Sequence, residues 1–87
     1  MPVRARAYFG LGQASAAREQ WEEAARYFMS VAVLFDDPEL APRSLHEAAA
    51  AFDRLGRSDD RRKTLEELRA RYPGSEWARP EPAKESS

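Results

Sequence analysis

The segment Phe35-Asp36-Asp37-Pro38-Glu39-Leu40-Ala41 returns 37 residues later as Tyr72-Pro73-Gly74-Ser75-Glu76-Trp77-Ala78. In both copies an aromatic ends one stretch, a breaker comes next, and an acid, a bulky apolar residue and an alanine open the next stretch. A period of this size is that of helical solenoids, in which a unit buries its apolar face only against a neighbour. The expectation is association with other proteins rather than catalysis.

At 87 residues the chain is long enough for one small domain, close to the size at which a single core barely suffices. Apolar residues make up 43%, but many are alanine, so large core side chains are few and helix is strongly favoured over strand. The absence of cysteine removes disulfides, thiolate zinc sites and cysteine nucleophiles. A net charge of −1 speaks against a nucleic-acid partner, which would need a basic face. No apolar run approaches the roughly 18 residues of a membrane span. The opening Met1-Pro2-Val3-Arg4-Ala5-Arg6 has no apolar signal stretch. As written the chain is expected in the cytoplasm; a piece of a longer exported protein, periplasmic or envelope-associated, would read the same.

Hydrophobic periodicity predicts four helices. The first, about Val3 to Ala17, places Tyr8, Leu11, Gly12 and Ser15 on successive turns. After a break at Arg18-Glu19-Gln20, the second runs from about Trp21 to Phe35, with Trp21, Ala24, Phe28, Val31 and Leu34 or Phe35 as its stripe. Asp37 is suited to cap the third helix and Pro38 to a first helical position. Because of Pro42, a loose turn is expected at Glu39–Ala41 and regular helix from about Pro42 to Leu55, burying Leu45, Ala48, Ala49 and Phe52. Gly56 ends it, Ser58 is the expected cap of the fourth helix, and Leu65 and Leu68 face inward. Residues 79–87 have the composition of a disordered tail. Short turns make consecutive helices antiparallel, giving an all-α fold of two stacked helical hairpins.

These residues resemble the tetratricopeptide repeat (TPR) family. Leu11-Gly12 matches its Leu-Gly pair, Tyr8 the preceding aromatic, Trp21 the start of the second helix, Ala24 the small contact residue and Phe28 the aromatic after it. In the second unit Ala48-Ala49, Phe52, Gly56 and Pro73 take the corresponding places. Arg61 departs from the pattern, standing where the family has a small residue; either the last two helices pair loosely or Arg61 snorkels past Ala49 to water. The resemblance implies a TPR-like α-solenoid over about residues 4–78: repeat one at about 4–37, repeat two at about 38–74, and an aborted third at 75–78 as a short degenerate cap. Leu65-Glu66-Glu67-Leu68, Tyr72-Pro73-Gly74-Ser75 and Ala78 are also similar to bacterial cell-envelope TPR proteins.

The resemblance further implies a non-enzymatic scaffold that binds a protein or peptide segment along a concave face of first helices. Carried over by position, that face presents Arg6, Phe9 and Gln13 from the first helix and Arg43, His46, Glu47, Asp53 and Arg54 from the third. Phe9 lies off the Tyr8/Leu11 stripe and is either an exposed anchor or a cover for a neighbouring helix. His46, the lone histidine, has no nucleophile or second ligand to work with, so neither catalysis nor a metal or other cofactor is expected. Trp77 either caps the open end of the fourth helix or contacts a second copy or partner. Self-association is expected too, since two repeats bury little. The alternative is a structural subunit that completes a longer solenoid without a groove ligand.

Overall fold

A computed structural model describes residues 3–35 and 37–78. It contains four α-helices, α1 (Val3–Ala17), α2 (Trp21–Leu34), α3 (Leu40–Arg54) and α4 (Ser58–Arg71), and a closing 3₁₀ turn at Glu76–Ala78. No strand occurs among the described residues. Consecutive helices pack side by side in chain order, so α2 lies between α1 and α3, and α3 between α2 and α4. This is the expected pair of stacked helical hairpins. The predicted tail, 79–87, lies outside the described residues.

The period of the sequence is also a period of the backbone. Shifted by 37 residues, the bounds of α1 become those of α3, and the bounds of α2 those of α4. The turns inside the hairpins show why the spacing is kept. After α3, the Gly56 N–H bonds the Asp53 carbonyl and the Arg57 N–H the Phe52 carbonyl, with Gly56 at φ 76°. This is a Schellman closure, which needs a left-handed residue in that place. After α1, the Glu19 N–H bonds the Ala16 carbonyl and the Gln20 N–H the Ser15 carbonyl, and Glu19 takes φ 62°. The same geometry is therefore imposed on a glutamate, at a cost that glycine avoids.

So tight a turn decides how α4 begins. Ser58 is already helical, and Arg57 holds the cap position with no side-chain cap bond. The expected Ser58 cap is corrected accordingly. Asp37 does cap as expected: its Oδ1 accepts the N–H groups of Glu39 (2.8 Å) and Leu40 (3.1 Å). The loose turn expected through Ala41 is instead helical from Leu40, and the Ala41 N–H already bonds the Asp37 carbonyl. Pro42 is tolerated because first-turn N–H groups need no helical partner.

Two apolar clusters fill the interior. The first gathers Ala5, Phe9, Ala24, Phe28, Val31 and Ala48; the second joins Ala32, Leu45, Leu68 and Ala78. Phe28 is the largest fully buried side chain, and burying a side chain of this size contributes about 2–3 kcal/mol. Its ring occupies the space a side chain at position 12 would fill: a Cβ on Gly12 would stand 2.8 Å from Phe28 Cε1. Phe9 meets the same ring edge-on, 5.3 Å between centroids. The buried stripe of α1 is therefore Ala5, Phe9, Gly12 and Ser15 with Tyr8 half-covered, and Leu11 is 45% exposed. The expectation that Leu11 is buried is reversed, and Phe9 is a cover for its neighbours rather than an exposed anchor. The Gly12–Phe28 contact turns α1 onto that face.

Arg61 resolves as a snorkelling side chain. It is exposed beside Asp53 (3.8 Å), while Thr64 and Leu68 make the close contact with α3. On α2 it is Phe35, half-buried, and not the exposed Leu34 that continues the stripe.

Two outcomes are expected in urea denaturation. Gly12→Ala loses about 1 kcal/mol, because overpacking against Phe28 outweighs the gain in helix propensity, whereas Gly10→Ala, with open space around the new methyl, gains about 0.5–1 kcal/mol. Glu19→Gly gains about 0.5–1 kcal/mol by relieving the left-handed position, less the entropy glycine adds to the unfolded chain.

Candidate functional site

The face shared by α1 and α3 is built from positions that the helical period turns away from the clusters. Along α3, Arg43, Glu47, Ala50 and Arg54 fall at intervals of three and four, on the side opposite Leu45, Ala48 and Phe52. At the beginning of this row the chain assembles four of the expected residues. The Arg43 guanidinium lies over the ring of Phe9, 4.9 Å from its centroid, and 5.7 Å from that of Trp77. The His46 and Trp77 rings are 5.0 Å apart and tilted by 47°. Phe9, although 6% exposed, thus floors the site under Arg43.

Arg43 is held by rings rather than by an acid. Its Nε is buried without a hydrogen-bond partner among the described residues. Cation–π contacts fix the position of a guanidinium while leaving its charge uncompensated, which keeps it available to an anionic group.

The other expected residues are not drawn into this cluster. Arg6 and Gln13 are exposed on α1, and Glu47 is half-buried on α3. Asp53 turns toward α4 and Arg61. Arg54 stacks on Trp21, 5.0 Å from the ring centroid, at the far end of the molecule. Neighbouring it, Arg57 pairs with Glu22 at 3.4 Å.

Trp77 belongs to the site as well as to the end of the fold. Its N–H bonds Ser75 Oγ at 3.0 Å, which opens the 3₁₀ turn, and Ala78 is buried in the second cluster. The turn therefore covers α3 and α4 while its indole meets His46. Between this turn and the start of α3 lies an open depression of about 400 Å³, lined by Glu39, Leu40, Pro42, Arg43, Glu76 and Trp77. Sequence reasoning missed it, although its signal was present: Glu39-Leu40 and Glu76-Trp77 are the same step of the 37-residue echo, and the depression separates two equivalent turns. Among the described residues no group of three or more side chains could hold a metal ion, and no helix is long and apolar enough to cross a membrane.

Thermal or urea melts should separate the two kinds of contact. Arg43→Ala is expected to lower stability by about 1 kcal/mol, through loss of two ring contacts and its buried stem. Asp53→Ala removes only an exposed ion pair and should change stability by no more than a few tenths of a kcal/mol.

Comparison with known proteins adds one finding. Residues 43–75 match the model of a family described as tetratricopeptide repeat. No curated protein and no solved structure matches the chain. The matched stretch starts at Arg43 and takes in the rest of α3, α4 and the turn to Ser75, so it falls on the hairpin whose side chains depart further from the repeat pattern. It concerns the repeat as such and does not reach to the cell-envelope group. Taken with the stacked hairpins, this match identifies a tetratricopeptide repeat over residues 43–75.

Proposed function

We propose that the chain takes a segment of another protein onto the face shared by α1 and α3, with Arg43 as the charged anchor. The coarser part of this reading comes with the family: a tetratricopeptide repeat implies a protein–protein interaction or scaffold module, generally non-enzymatic. The finer part is supported by one observation. Arg43 is fixed between Phe9 and Trp77 and has no acidic partner among the described residues. A positioned and uncompensated guanidinium recognises carboxylates well, since little side-chain freedom is lost on binding.

The segment is extended or helical and brings an acidic side chain or a terminal carboxylate to Arg43, while apolar groups meet Trp77 and the depression beside it. His46, against the indole, and Glu47, one turn further along α3, set what lies next to that carboxylate. Arg6 and Gln13 extend the face along α1. Asp53 and Arg54, engaged by Arg61 and Trp21, act as limits of the face.

Panning a random peptide display library against the intact chain tests the reading. Peptides with an acidic residue at one recurrent position are expected, and Arg43→Ala should weaken their binding by about tenfold or more while its helical circular dichroism is retained. Recovery of the same peptides, with the same affinity, by Arg43→Ala would move binding to another surface.

A further inference from the structure

The 37-residue shift shows what the outer edge of the first hairpin is missing. On α3 the stripe Ala41, Leu45, Ala48 and Phe52, and on α4 the stripe Asp60, Thr64, Glu67 and Arg71, form the edge that the second hairpin presents to the first. Its α3 part is covered: Ala41, Leu45 and Ala48 are buried, and from α4 the Arg71 guanidinium reaches across to the Ala32 carbonyl at 3.3 Å. The same positions in the first hairpin are Arg4, Tyr8, Leu11 and Ser15 on α1, and Glu23, Tyr27, Ser30 and Leu34 on α2. Within the described chain Ser15 is buried and Tyr8, Tyr27 and Ser30 are half-covered, while Arg4, Leu11, Glu23 and Leu34 are exposed. Leu11 is 45% and Leu34 64% exposed, and Tyr8 lies between Tyr27 and Phe35, at centroid distances of 6.3 and 5.8 Å.

We infer that this edge is a self-association surface, and that its occupant is the same edge of a second copy of the chain. A copy cannot stack on it head to tail. In the intact interface the covering residues of α2 include Ala25, Phe28, Met29 and Ala32, and their equivalents on α4 are Arg62, Leu65, Glu66 and Arg69. Arg62, Glu66 and Arg69 are exposed, while Leu65 already packs on the second cluster. Setting these charges on Leu11 and Leu34 would strip them of water against apolar side chains, which is unfavourable even for Arg62 with its Asp59 partner at 3.2 Å. The heterologous contact that would build a filament is thereby blocked, and a two-fold contact of like edges closes after two copies.

The charges at the ends of the edge fit that symmetry. Arg4 stands one turn before Tyr8 on α1, and Glu23 one turn before Tyr27 on α2. Because the two helices are antiparallel, the basic and acidic ends of the edge are opposite. A second copy turned end for end brings the two signs together at both rims. This surface is separate from the Arg43 face, so either can fail without the other.

Sedimentation of the full chain from micromolar to millimolar concentration tests the proposal. A monomer–dimer equilibrium with no larger species is expected. Leu11→Glu and Leu34→Glu should each weaken it by about a hundredfold or more, with helical circular dichroism unchanged because both side chains are exposed in the monomer. Glu66→Arg on α4 should leave it unaltered. A chain that stays monomeric throughout overturns the proposal and leaves the edge to a helix of some other protein. Open-ended polymers, or a dimer that survives both leucine substitutions in folded protein, overturn it equally.

Discussion

The rest of the structure depends on the contact between Gly12 and Phe28. A glycine in mid-helix costs up to about 1 kcal/mol in propensity, and here it leaves the space that the Phe28 ring occupies. With that ring seated, α1 and α2 approach closely, Phe9 closes on its edge, and the hairpin acquires a direction of roll. The roll places Leu11 outside and Phe9 inside, and it brings Phe9 under Arg43 of the next hairpin. One packing decision thus reaches the edge, the core and the candidate binding face.

The two hairpins reach one backbone through different side chains. Gly12 corresponds to Ala49, Phe28 to Leu65, Ala24 to Arg61 and Glu19 to Gly56. The first hairpin fills its interior with aromatics. The second uses aliphatic residues and lets Arg61 leave the interface for Asp53. What the two share is the turn geometry, whose hydrogen bonds require a left-handed residue whatever its side chain. A repeat can therefore keep its period while its surfaces diverge, and surfaces are where partners bind.

Divergence gives the molecule two unlike ends. The outer face of α4 is charged, and the 3₁₀ turn brings Trp77 and Ala78 over what is apolar there. The outer edge of α1 keeps Tyr8 and Leu11 at positions whose counterparts on α3, Leu45 and Ala48, are buried. In the proposed self-association, one charged end and one partly apolar end favour pairing over filament growth. Arg43 stands between Phe9 of the first hairpin and Trp77 of the closing turn.

The sequence by itself determined the all-α class, the four helices, the 37-residue step and the cap at Asp37, because these rest on local periodicity, breakers and turn chemistry. It also pointed to Arg43, His46 and Trp77, by position and by the echo. Only the tertiary structure decided which side of α1 is buried, where the stripes of Tyr8/Leu11 and Ala5/Phe9 differ by a rotation that periodicity alone does not resolve. It likewise decided that Ser58 is no cap, since the Schellman turn after Gly56 leaves that place to Arg57. That Arg43 joins Phe9 and Trp77, while Arg54 goes to Trp21 and Asp53 to Arg61, depends on contacts between residues far apart in the chain. Those are set by how the hairpins stack, and no window of sequence contains them.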